Sequence, residues 1–295
     1  MIFDQLSRLG WIKIAKTGIL WLVALFALGT PHWWVGMDGR YWYVSQIVTV
    51  TFVALAVLLA LDSRSPWLVG LCLGMAICSR PNVIVTWPFL FAIAMQILKD
   101  RDKKIQPRPL VNWAIKSMIP IGLSVIGLLV YNYLRFHNIF DFGYATINGD
   151  ANLVEAIHKY GMFGVHYIPK NLYVMFLKLP DILHDKPYLA PSINGISLFV
   201  TTPAFLYLIR RYEKKPWIIG AWMSVILSLI LLAMYHNTGT AQFGYRYILD
   251  LIVPLMMLMA VTIKEKIPRL LLLLILLSIV FNEYGAYWFI KYLNG

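Results

Sequence analysis

Three arginines stand where a guanidinium could hold a phosphate. Arg80 follows an apolar stretch in Cys78-Ser79-Arg80-Pro81-Asn82, Arg135 closes another in Tyr131-Asn132-Tyr133-Leu134-Arg135-Phe136, and Arg246 opens a third in Gln242-Phe243-Gly244-Tyr245-Arg246-Tyr247. A guanidinium is a planar fork that bonds two phosphate or pyrophosphate oxygens at once and keeps its charge at any physiological pH. The plainer role for each is snorkelling or local pairing, and Arg246 has Asp250 as an i,i+4 partner if the segment is an α-helix. Three such residues at one membrane boundary favour an anionic-lipid site. The six histidines, His32, His137, His158, His166, His184 and His236, are scattered singly without HxH or HExxH spacing, so no metal site is expected from them. Cys72 and Cys78 are six apart in one apolar segment, which puts them on different helix faces and out of disulfide reach.

The elements that must position these residues are transmembrane helices. The chain has 295 residues, 60% of them hydrophobic and only 14% charged, with a mean hydropathy of +0.68. A soluble domain carries about a quarter charged residues, so the composition excludes that class. Crossing the roughly 30 Å hydrocarbon layer takes about 20 mostly apolar helical residues. Segments of this kind run over Gly18–Val35, Val44–Leu61, Trp67–Cys78, Val83–Leu98, Ser117–Leu134, Ile196–Ile209, Trp217–Tyr235 and Ile248–Ile263, with a further candidate at Leu270–Phe281. The expected fold is an all-α polytopic bundle of eight or nine spans, forming one domain over residues 1–295. Trp67–Cys78 and Val83–Leu98 are short and read as a tight helical hairpin.

Lysine and arginine in short loops favour the cytoplasmic side. Placing alternate connections inside puts 17 of the 26 basic residues there, at about four times the density of the other side. The N-terminus is then cytoplasmic and the tail from Asn282 to Gly295 outside. The net charge of +12 is on this reading a topology signal and an attraction for lipid headgroups, and nucleic acid is not an expected partner. Trp33, Trp34, Trp42, Trp67, Trp113, Trp217 and Trp288 lie near span ends as an expected interfacial belt. Ala27-Leu28-Gly29 resembles a signal-peptide cleavage site, but inside-positive flanks and further spans favour retention of the first helix. All six histidines, together with Asp38, Asp141, Asp150, Glu155, Asp181, Asp185 and Glu283, fall outside. The long outer connection 135–195 contains helical patterns at Ala151–Tyr160 and Pro169–Leu179. The second could lie flat in the membrane interface or pack on the bundle.

Several stretches carry a resemblance. They are Gly29-Thr30-Pro31-His32-Trp33-Trp34 with Trp42-Tyr43, the run from Leu68 to Ala76 leading into Ser79-Arg80-Pro81, and Tyr131 to Phe136 followed by Gly143-Tyr144. Thr202-Pro203-Ala204 and Gln242 to Tyr247 running into Pro254 complete the set. In this order and spacing the chain resembles the polytopic membrane glycosyltransferases of the GT-C type, the group similar to protein mannosyltransferases and lipid A aminoarabinose transferases. The resemblance implies transfer of a sugar from a polyprenyl-phosphate or polyprenyl-diphosphate carrier to a glycan, lipid or protein acceptor on the outer face of the cell (inner) membrane. It also implies a carboxylate that deprotonates the acceptor or binds a divalent metal, and cations at the leaving phosphate. Arg80, Arg135 and Arg246 fit the latter role as the lipid-phosphate-binding residues.

In that family the catalytic aspartate follows the first helix, and several helices precede the stretch that Gly29–Tyr43 resembles. The family's N-terminal third, with its usual base, is therefore not expected within this chain, and a separate chain could supply it. Asp38 and Asp141 are the remaining candidate catalytic carboxylates, at positions that do not match the family's base. The competing expectations are a non-catalytic accessory or flipping component that binds polyprenyl-linked sugars, and a secondary transporter. Against transport, the sequence has no pair of Gly/Pro-broken helices in matching halves.

Overall fold

The structure, a computed structural model, describes residues 1–143, 151–185, 188–192, 194–239 and 242–293. Tyr144 and Asp150 lie outside the described residues. The helices are α1 (Ile2–Arg8), α2 (Lys16–Leu28), α3 (His32–Met37), α4 (Tyr41–Leu61), α5 (Pro66–Ser79), α6 (Trp87–Asp102) and α7 (Pro107–Phe136). They continue as α8 (Ala151–Tyr160), α9 (Ile168–Leu172), α10 (Leu198–Thr201), α11 (Pro216–Met234), α12 (Ile252–Thr262) and α13 (Arg269–Leu293). Three 3-10 segments matter below: Pro81–Thr86 before α6, Pro203–Leu208 after α10, and Arg246–Leu251 before α12. A two-residue antiparallel pair, β1 (Asp181–Ile182) with β2 (Leu189–Ala190), is the single sheet among the described residues.

This is an all-α membrane protein. Five stretches are long and apolar enough to cross a bilayer: α4, Pro81–Asp102, α7, α11 and Arg269–Lys291 of α13. Apolar α2 and α5 are shorter. Two expected spans are broken instead. Ile196–Ile209 divides at Thr202-Pro203, because the residue before proline is driven out of the α region; Thr202 has φ −133 and ψ 67. Its hydroxyl donates to the Gly29 carbonyl at 3.0 Å, tying the break to the end of α2. Ile248–Ile263 begins as the 3-10 segment and becomes helical at Ile252. Every residue from Arg246 to Ala260 is buried, the condition under which irregular backbone is tolerated at membrane depth. The last expected span runs on past Phe281, so the supposed outer tail is α13 itself as far as Leu293.

Proline sets several starts, standing in the first turn of α5, α6, α7 and α11, where its missing N–H is unneeded. α5 packs between α4 and α7, and α6 lies against α11. The α5–α7 contact depends on Gly70: a Cβ there would collide with the Ser117 carbonyl, and Pro120 of α7 stands over the same spot. α12 is apolar on every face and buried on nearly every residue, the pattern of a central helix.

The basic connections gather at one end of the bundle. The Ala15 N–H donates to Glu265 O, Arg210 Nη1 to Thr262 O, and Trp11 Nε1 to Asp100 Oδ2. Trp11 also stacks on Trp217 with centroids 5.4 Å apart. Trp217, Trp34 and Trp288 are buried, so these three pack inside the bundle instead of forming an interfacial belt. At the opposite end, α9 packs on the bundle: Asn171 Nδ2 donates to the Ala233 and Tyr235 carbonyls at 2.8 and 2.6 Å, and Val174 and Met175 are buried. Leu177 and Leu179 just beyond stay exposed.

Candidate anion-binding site

The break between α5 and α6 creates the first half of the site. Pro81 forces Arg80 into an extended conformation, φ −145 and ψ 100, so α5 stops at Ser79 and the Arg80 side chain turns inward. Arg80 then meets Asp250, with Nη2 donating to Oδ2 at 2.8 Å and Nε 2.7 Å from Oδ1. Asn82 Nδ2 donates to the same Oδ2 at 2.7 Å. The Asp250 side chain is 1% exposed and that of Arg80 16%, so this is a buried, two-pronged ion pair.

Arg246 forms the second half, and it is 5% exposed. Two glutamines hold it. From α4, Gln46 accepts from Arg246 Nη1 at 2.9 Å and donates back to its carbonyl at 3.1 Å. Gln242 accepts the Arg246 N–H at 3.0 Å while donating to the Thr238 and Asn194 carbonyls. The guanidinium lies 5.2 Å from the Tyr43 ring centre and 4.6 Å from that of Tyr247, and Arg80 approaches Tyr247 to 5.2 Å. Tyr247 thus has two cations within cation–π range.

The charges in this centre do not balance. Among the described residues the ion pairs give Asp250 to Arg80 and none to Arg246, which leaves a buried positive charge eased only by rings and an amide. Burying an unpaired charge is costly, and arginine cannot escape by losing its proton. Arg246 Nε and the Tyr245 hydroxyl, both buried, meet no acceptor among the described residues. Burial pushes the Tyr245 phenol well above its usual range, so it keeps its proton and can donate. One uncompensated cation with two unused donors suits an anion.

Arg135 stands apart. It ends α7, donates to the Tyr131 hydroxyl one turn back at 3.0 Å, and lies against the Phe136 ring. No hydrogen bond, ion pair or ring contact among the described residues joins it to Arg80 or Arg246. The two candidate carboxylates are also outside the centre. Asp38 accepts the Arg40 N–H at 2.9 Å and sits 3.3 Å from Arg40 Nε, and Asp141 accepts the Gly143 N–H at 2.7 Å. Asp250 is not the partner of Arg246 that the i,i+4 spacing suggested. Gln46, Asn82 and Gln242 were not singled out by the sequence as site residues; their partners lie up to 200 positions away. No cluster of three or more histidine, cysteine or acidic side chains suited to a metal occurs among the described residues.

The loop that delivers Arg246 carries its own titratable group. His236 is buried, its N–H donates to Met162 O, and the Tyr235 ring lies 4.3 Å from the imidazole. Burial disfavours the imidazolium and lowers its pKa from 6.5 to about 4. The unfolded chain therefore takes up this proton first as pH falls, so stability is intact above about 6.5 and is lost progressively down to about 4. The loss is expected to be on the order of 2 kcal/mol once screening by nearby water is allowed for. Melting temperatures of wild type and His236→Asn across this range check it: the gap between them should stay constant above pH 6.5, and wild type should lose stability relative to the variant as pH falls from 6.5 toward 4.

No protein-family model, curated protein or solved structure matches the chain.

Proposed function

We propose that the chain binds the phosphate of a polyprenyl-phosphate-linked sugar at the outer face of the cell (inner) membrane, with its N-terminus cytoplasmic, and serves transfer of that sugar to an acceptor. The observation that supports this reading is the buried, uncompensated charge of Arg246, whose own Nε is an unused donor, as is the buried hydroxyl of its chain neighbour Tyr245. A leaving lipid phosphate gains charge as the anomeric C–O bond breaks, and a fixed cation there lowers the barrier. The resemblance to GT-C glycosyltransferases agrees with this use of an arginine. The basic connections at the opposite end of the bundle agree with the orientation.

A second reading, a non-catalytic component that binds polyprenyl-linked sugars, is favoured by a specific observation: Asp250, Asp38 and Asp141 are each engaged with a neighbour. No carboxylate of the centre is thereby left to act as base. The two readings separate in vesicles containing the protein, a radiolabelled polyprenyl-phosphate sugar and membrane acceptors. Release of free polyprenyl phosphate with labelled product supports transfer. Donor bound but never consumed supports the second reading, and donor not bound at all contradicts both.

A further inference from the structure

A groove of about 420 Å³ runs along the exposed face of α11 from its first turns, lined by Tyr212, Lys214, Ile219, Trp222, Met223 and Ile226 among others. The connection before α11 forms its wall. Arg210 ties that connection to the Thr262 carbonyl at 2.8 Å, and the Tyr212 hydroxyl donates to the Leu208 carbonyl at 3.1 Å. The Tyr212 ring meets Trp222 edge to face, with centroids 5.5 Å apart, so the wall is fixed against the helix. The floor is apolar. Ile219, Met223 and Ile226 follow one another at steps of four and three residues, one face of an α-helix, and each is exposed, as is Ile230 further along. Ile219 to Ile230 spans about 16 Å of helix, about half of the hydrocarbon layer and so the depth that the acyl chains of one leaflet fill.

The mouth of the groove is positive. Arg211 and Lys214 are exposed there. Among the described residues Glu213 pairs with Lys215 at 2.8 Å, and no ion pair reaches Arg211 or Lys214. An apolar floor below two unpaired cations is complementary to one class of ligand. A free anion would leave the stripe from Ile219 to Ile230 uncovered, and a neutral lipid would leave both cations without a counter-charge. An anionic phospholipid meets both demands. We propose that the groove binds one anionic phospholipid of the leaflet at the basic end of the bundle, with an acyl chain on the stripe and its phosphate at Arg211 and Lys214. This site does not depend on what Arg246 binds.

Photo-crosslinking of the full chain in nanodiscs tests it, with phosphatidylglycerol or phosphatidylcholine carrying a diazirine in the acyl chain and the labelled residues mapped by mass spectrometry. Leu123 and Ile126 of α7 are also exposed and have no cation within one helical turn, so they report ordinary contact with the bilayer. Phosphatidylglycerol should label residues 219–230 several-fold more than phosphatidylcholine does, while the two lipids label Leu123 and Ile126 equally. Arg211→Gln and Lys214→Gln should each lower the excess about fivefold, the scale of one basic residue at an anionic lipid surface. Melting temperatures within a few degrees of wild type show that these surface variants fold. Equal labelling of residues 219–230 by both lipids reduces the groove to ordinary bilayer contact and overturns the proposal. No labelling there, or an excess undiminished in both variants, overturns it as well.

Discussion

Asp250→Asn is expected to destabilise the protein by about 3–5 kcal/mol, the range for removing one partner of a buried ion pair. Arg80 would keep its charge and lose the carboxylate that two of its nitrogens face, and Arg246 already stands on the same Tyr247 ring without a carboxylate of its own. The variant therefore leaves two guanidinium groups close together in low dielectric with nothing to balance them. Asn82 would still find an amide oxygen, so the loss is chiefly electrostatic. Thermal unfolding in detergent measures the effect, and the double variant Arg80→Met/Asp250→Leu should recover most of it, because it removes both charges and fills the space. A loss below about 1 kcal/mol in Asp250→Asn would mean that water reaches the pair and screens it.

The second large effect concerns ligand affinity. Arg246→Gln should weaken undecaprenyl phosphate binding by about 1.5–3 kcal/mol, the worth of a hydrogen bond to a charged group, which is roughly ten- to hundred-fold in affinity. Arg246→Lys should lose a substantial part of this as well, since an ammonium cannot fork onto two phosphate oxygens. Arg135→Gln is the internal comparison. Arg135 lies at the end of α7 and bonds within its own helix, so its loss should change affinity less than about twofold, the scale of an exposed charge. Equal losses in the Arg135 and Arg246 variants would assign the effect to surface charge in general.

The sequence made most of the bundle legible and part of the site. Long apolar runs such as Tyr41–Leu61 and Pro216–Met234 are simple to read, because length and hydropathy decide them. The broken segments are harder. Ile196–Ile209 and Ile248–Ile263 are as apolar as the five long helices, and hydropathy does not report the path of the backbone. The breaks were written in Thr202-Pro203 and in the polar lead-in to Ile252, signals of local conformation and not of solubility.

The site shows the same division. Arg80 and Arg246 were visible as cations in the wrong place for an orientation signal, and the structure brings them together. Pairing Arg246 with Asp250 assumed an α-helix, where residues four apart share a face. Residues 246–251 form a 3-10 segment, in which a four-residue step turns about 120° away from the starting face, so Asp250 meets Arg80 instead. Arg135 was grouped with the other two by its place at a span end. Yet α7 has 30 residues, about 45 Å of helix, well beyond the hydrocarbon thickness, and the contacts described for Arg135 in its last turn are with Tyr131 and Phe136 of the same helix. The glutamines that clamp Arg246 come from distant parts of the chain, and no local pattern marks them.

Native mass spectrometry of the wild-type protein, offered undecaprenyl phosphate and phosphatidylglycerol at equal concentration, tests the central claim most directly. The buried charge of Arg246 predicts an undecaprenyl phosphate adduct that phosphatidylglycerol does not displace and that Arg246→Gln fails to form. Adducts of equal strength for both lipids, unchanged in Arg246→Gln, would contradict it.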